Sequence, residues 1–119
     1  MDWKLDKDRP IVPQICEQMS VRIAKGDFAP DEKLMSVREV AVGAGINPNT
    51  VQKAFEELER QGMIYSVRGS GWYVGADFTA AKRAVEDLIF FKTDQYFKAM
   101  EALGYDLEAT KNYIGRWKA

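Results

Sequence analysis

The stretch SVREVAVGAGINPNTVQKAF, Ser36 to Phe55, decides how this chain folds. Ser36 and Glu39 form a capping box, in which each side chain satisfies a backbone donor at a helix start. The short helix they open has Val37, Val40, Ala41 and Ala44 along one side, and Gly43 and Gly45 are expected to stop it. Asn47 is a good N-cap, and Pro48 suits the first helical position, where a missing N–H costs nothing. Val51, Phe55 and Leu58 then make a buried stripe, with Gly62 placed to close the helix. The spacing of Ala41, Gly45 and Val51 is that of a helix-turn-helix. A small residue lets the helices touch, a glycine takes positive φ in the turn, and a branched apolar residue faces back.

The flanks agree with this reading. Upstream, Ile11, Ile15, Met19 and Ile23 recur every four residues and predict a helix from about Pro10 to Lys25, ended by Gly26. Asp27 to Leu34, with Pro30 and several charges, reads as a loop. Downstream, Met63–Val67 and Trp72–Val74 flank Arg68-Gly69-Ser70-Gly71 and predict a hairpin, the wing. A long helix is expected from Asp77 to Leu103, broken by Gly104. Asp106 caps a last helix carrying Leu107, Ile114 and Trp117. The expected fold is mainly α with a small β-hairpin wing: a winged helix-turn-helix over residues 1–75, then a two-helix dimerisation tail over 76–119.

Composition removes whole classes of chemistry. One cysteine and no histidine leave no internal disulfide, no His-dependent triad and no metal cluster, so neither an enzyme nor a cofactor is expected. Cys16 reads as a small apolar residue within the first helix. No apolar run nears the roughly 20 residues of a membrane span, and the first residues lack a signal peptide's apolar centre, so a cytoplasmic protein is expected. Residues 1–75 carry 10 Lys+Arg against 11 Asp+Glu, and residues 76–119 carry 7 against 7. Neither half is basic, although a DNA-binding domain usually shows a basic footprint. That balance supports the alternative of a winged helix used as a protein-interaction module. Motif geometry favours double-stranded operator DNA as partner.

In a helix-turn-helix the start of the second helix faces base edges in the major groove. Asn49 and Gln52 carry amides that pair with adenine, and Lys53 can reach guanine acceptors. Asn47, Pro48 and Thr50 share that helix start. Ser36 and Arg38 lie at the start of the preceding helix, where Arg38 meets a phosphate or base edge unless a nearby carboxylate holds it. Arg68, Gly69 and Ser70 form the wing tip, placed for the minor groove or backbone. Lys4 and Lys7 are further candidate cations.

These residues carry a resemblance. Residues 10–74 are similar to the GntR family of winged-helix regulators, and the chain as a whole resembles its YtrA-like branch. The matching stretches are Pro10-Ile11 with Gln14-Ile15, Leu34 with Ser36-Val37-Arg38-Glu39, Ile46 to Phe55, Leu58-Glu59 with Gly62, and Arg68-Gly69, Gly71 and Val74. The resemblance implies a homodimeric regulator, here a repressor, with DNA contacts at Arg38, Pro48, Asn49, Gln52, Arg68 and Gly69. This chain has Met35 where the family usually has proline, Asp31 where it has glycine, and Val12 where it has an aromatic. A looser loop before the second helix is therefore expected. Pro48 cannot donate to a base as the arginine of many members does, which moves base reading onto Asn49, Gln52 and Lys53.

The tail is too small to be stable alone, yet it is rich in aromatics. Phe90 and Phe91 are adjacent and must point to different sides of a helix. A two-fold interface built from Phe78, Val85, Leu88, Ile89, Phe90, Phe91, Phe97 and Met100 accounts for the surplus of apolar faces. A small-molecule effector, where one binds, is expected in the dimer groove near Phe90, Phe91, Tyr96 and Phe97. Plain core packing is the favoured reading for these aromatics.

Overall fold

The computed structural model describes residues 2–119. Helix α1 spans Ile11–Lys25, α2 Val37–Ala44 and α3 Pro48–Arg60. The strands β1 (Ile64–Val67) and β2 (Gly71–Val74) follow, then α4 (Thr79–Ala102) and α5 (Leu107–Arg116). The chain divides into two compact units, residues 1–85 and 86–119. The division falls after Val85, within α4. Ala81 is buried in the first unit's core, and Phe78, Ala80 and Ala84 pack against it. Phe78, assigned to a dimer interface above, is thus drawn onto its own winged helix.

The first unit closes around Phe55, which is fully buried with Ile15, Met19, Val51 and Leu58. Trp72 of β2 meets the Phe55 ring edge-on at 5.6 Å, so wing and three-helix core share one apolar centre. Truncating such an aromatic costs about 3–5 kcal/mol. The helix ends follow the sequence closely. Ser36 and Glu39 make both arms of the capping box, Asn47 Oδ1 accepts from the Asn49 N–H, and Gly26 and Gly45 are left-handed C-caps. Gly43, however, does not stop α2. It lies within the helix, and Gly45 alone ends it at φ 68°.

The hairpin pairs Ile64 with Val74 on the core side and Tyr65 with Tyr73 on the other face, where the two rings stack at 5.6 Å. The loop before α2 is not loose. Its Leu34 N–H donates to the Trp72 carbonyl at 2.8 Å, and Glu32 accepts from the Val74 N–H at 2.9 Å. A bridge between Lys33 and Tyr73 makes the segment a partial third strand. Asp31 takes the left-handed conformation at φ 63° that the family's glycine would supply. Aspartate tolerates this region better than most residues. Its carboxylate also accepts the Tyr65 hydroxyl at 2.9 Å.

The segment ahead of α1 lies along that helix as a strap. Gln18 exchanges two hydrogen bonds with the backbone of Lys4, at 3.1 and 2.7 Å, and Gln14 exchanges two with Asp6, at 2.7 and 2.8 Å. The match is geometric. Four helical residues rise about 6 Å, close to the advance of two extended residues. Side-chain amides on one helix face therefore stand in for a neighbouring strand. Trp3 anchors the strap by stacking under Arg22, 4.6 Å from the ring centre.

In the second unit Tyr96 meets Phe97 edge-on, as Tyr105 does Tyr113. Asp106 caps α5 through the Ala109 N–H. The buried Thr110 hydroxyl returns to the Asp106 carbonyl at 2.8 Å. Ile89, Phe90, Phe91, Leu103, Leu107, Ile114 and Trp117 are exposed in this unit. Among the described residues no helix is long and apolar enough to cross a membrane.

Candidate nucleic-acid interface

Helix α3 carries two stripes of the same period. Val51, Ala54, Phe55 and Leu58 are buried, whereas Asn49, Gln52, Lys53 and Glu56 are exposed. Each set follows the i, i+3, i+4, i+7 spacing of one helix face. The first stripe fixes the helix by packing. The second offers two amides, an ammonium and a carboxylate, groups that complement base edges. Thr50 is half-buried at the margin.

The turn before α3 is held by its backbone. At Gly45 the Ile46 N–H donates to the Ala41 carbonyl at 3.1 Å, which reverses the chain directly into Asn47. Ser36 and Asn47 both spend a side-chain oxygen on capping, the first to the Glu39 N–H and the second to the Asn49 N–H. Both residues are exposed, and the Asn47 cap leaves its amide NH₂ unspent as a donor. Arg38, Ala41, Val42, Gly45, Ile46, Asn47 and Pro48 line an open groove of about 330 Å³ over the turn. Among the described residues Arg38, Lys53 and Arg68 form no ion pair, so no carboxylate holds Arg38.

At the wing tip Gly69 has φ 77°, and the Ser70 N–H closes the turn on Val67 at 2.9 Å. Ser70 and Tyr73 hydrogen-bond through their hydroxyls, which stiffens the tip beside exposed Arg68. Cys16 is partly buried on α1, and its thiol donates to the Ala54 carbonyl at 3.5 Å. Burial, with the Glu57 charge nearby, pushes that thiol up to about 11, leaving no reactive thiolate at neutral pH.

The sequence reading missed two contacts near this surface. Glu59 accepts from Ser66 and ties α3 to the wing. Lys7 Nζ donates to the Gly45 carbonyl at 3.2 Å, at the turn itself. The paired glutamines at positions 14 and 18, four apart on α1, were the available signal for the strap that places Lys7. Of the aromatics assigned to an effector site, Tyr96 lines an apolar groove of about 420 Å³ with Ile114 and Trp117, while Phe90 and Phe91 lie exposed elsewhere on α4.

Known proteins share this arrangement. The transcriptional repressor YtrA of Bacillus subtilis is 51% identical over 65 residues, 55% of this chain and 50% of YtrA. A GntR family transcriptional regulator from Listeria monocytogenes superposes with a TM-score of 0.83 at 32% identity, covering 96% of this chain and 100% of that one. AraR(DBD), solved in complex with operator ORX1, superposes with a TM-score of 0.54 at 30% identity over 63% of this chain and 92% of its own. Residues 12–74, from α1 through the wing, match the family of bacterial regulatory proteins described as the gntR family. With the helix-turn-helix, its caps and the wing in their expected places, this chain belongs to that family.

Proposed function

We propose that the chain is a sequence-specific DNA-binding transcription regulator, a repressor, that grips a two-fold symmetric operator as a homodimer. The observation that carries this reading is the double stripe on α3: one face locked into the core, the other free to enter a major groove. Asn49, Gln52 and Lys53 read bases. Arg38 and Arg68, with Gly69 and Ser70 at the wing tip, grip phosphate or the minor groove. The operator in the AraR(DBD) structure and the repressor role of YtrA support the assignment.

The homodimer rests on the second unit. A monomer seldom exposes contiguous apolar patches larger than roughly a few hundred Å². Ile89, Phe90 and Phe91 are more than half exposed on a single turn of α4. A second copy of this chain, packed against α4, is the occupant this reading assigns. The groove of Tyr96, Ile114 and Trp117, within the size range of ligand pockets, is the seat it assigns to a small-molecule effector.

A protein-interaction module is the second reading, favoured by the near-neutral charge. Selection of bound sites from random duplex DNA separates the two. A symmetric motif and a log–log salt slope of roughly −4 to −8 per dimer support operator binding. No enrichment and a slope near zero support the module.

A further inference from the structure

We infer that Lys7 belongs to the DNA-gripping surface, as a phosphate-binding cation that the N-terminal strap delivers to the helix-turn-helix turn. This rests on the DNA-binding reading above.

Two cations on the strap were equivalent in the sequence, and the structure separates them. Lys4 sits where its backbone is locked to Gln18, and its side chain lies with Glu17, Val21 and Lys25 along the flank of α1. Lys7 follows Asp6, whose backbone is locked to Gln14. The Asp6 carboxylate caps the bend by accepting from the Asp8 N–H at 3.0 Å and from Arg9 Nε at 3.1 Å. The bend throws the Lys7 side chain across to the turn, where its ammonium meets the Gly45 carbonyl, 38 residues away in sequence.

An ammonium has three donors. One is taken by Gly45, and Lys7 is exposed, so the others point to solvent. Gly45 lines the same open groove as Arg38 and Pro48. Two cations therefore border the turn that precedes the base-reading helix, one from α2 and one from the strap. A backbone phosphate is the anion that such a turn meets when α3 lies in a major groove. The charge is also held in advance. A free lysine gives up rotamer freedom when it grips a phosphate, whereas Lys7 is already ordered against Gly45. This explains how a domain with no net positive charge still presents cations where the duplex lies.

The test uses the full-length chain, a duplex recovered by selection and a scrambled duplex of equal length. Binding is titrated by fluorescence anisotropy at several salt concentrations. Lys7→Met keeps the alkyl stem and removes the charge. It should weaken both duplexes by a similar factor, about three- to tenfold, and flatten the log–log salt slope by about one unit per protomer. Lys7→Arg should restore both quantities. The double variant Gln14→Ala/Gln18→Ala keeps Lys7 but releases the strap. It should weaken binding by a smaller factor at nearly unchanged slope, since the charge can still reach phosphate. If Lys7→Met binds both duplexes with wild-type affinity and slope, Lys7 serves only to brace the turn and the inference is overturned. If it loses affinity at an unchanged slope, the effect is structural and the inference is equally overturned. A wild-type chain that binds neither duplex would overturn the DNA-binding reading along with it.

Discussion

Glu59, near the end of α3, accepts both the backbone N–H and the hydroxyl of Ser66 in β1, at 3.0 and 2.8 Å, through one carboxylate oxygen. Helix α3 and the wing are thus joined by a charged acceptor as well as by the Phe55–Trp72 contact. Glu59→Ala should destabilise the protein by about 1 kcal/mol, the net worth of such a bond at a solvated site. It should also speed amide exchange at Ser66. Urea melts and exchange rates equal to wild type would show that the contact couples nothing.

The two stripes of α3 predict a division of labour. Gln52→Ala should cost about 1–3 kcal/mol on the selected operator and little on scrambled DNA, so that specificity falls. Arg38→Ala should weaken both and flatten the salt slope by about one unit per lost contact. Both variants should melt like the parent, because both side chains are exposed. If Arg38→Ala relaxes preference at one base position while Gln52→Ala leaves it intact, the roles are reversed.

Phe90 is 73% exposed, so replacing it should leave the subunit's own packing undisturbed. If α4 forms the proposed homodimer contact, Phe90→Lys together with Phe91→Lys should yield a monomer that binds one half-site weakly. Light scattering coupled to gel filtration reads the mass directly. A variant that remains dimeric places the interface elsewhere.

Acid should destabilise the fold in a defined window. The Ser36 backbone N–H, then its hydroxyl, lowers the Glu39 carboxyl. The Arg60 guanidinium, then the Gln61 amide, hold Glu57 at about 2 instead of 4.5, and the Thr79 hydroxyl and N–H lower Asp77. Each group is more acidic folded than unfolded, so its contribution is complete above about 4.5 and is lost as pH falls toward the folded value. Thermal melts should be nearly flat from pH 7 to 5 and then fall. Replacing Glu57 with Gln should make that fall shallower, and an unchanged acid limb would sink the assignment.

Most of the first unit was legible because its signals are local. A capping box, a Pro after an N-cap and a turn glycine each act within about one helical turn, and an apolar stripe lies within a single helix. Ser36, Asn47 and Gly45 accordingly lie where the spacing put them, as does Asp106 in the second unit. What escaped was long-range. Lys33 pairs with Tyr73 across 40 residues, Lys7 reaches Gly45 across 38, and Asp31 bonds Tyr65 across 34. Nothing in local periodicity records such pairings. Gly43 misled for the opposite reason, because a helix fixed by tertiary packing of Val40 and Ala41 absorbs the propensity cost of one glycine. The division after Val85 was hidden because α4 is one uninterrupted periodic segment, and which of its turns lean on the core depends on packing alone.

That same glycine leaves stability in reserve. A methyl group at Gly43 would meet no atom within 4 Å, and its backbone is already helical. Gly43→Ala should therefore raise stability by about 0.5–1 kcal/mol through the unfolded chain's lost freedom, with every exposed group of α3 left as it is. Thermal melts and operator titrations of that one variant would read both quantities. For anyone adapting this regulator as a sensor or a crystallisation scaffold, α2 is the place to begin hardening it. Selection stops once a fold is sturdy enough, and here the unused margin sits in a single hydrogen atom on a solvent-facing turn.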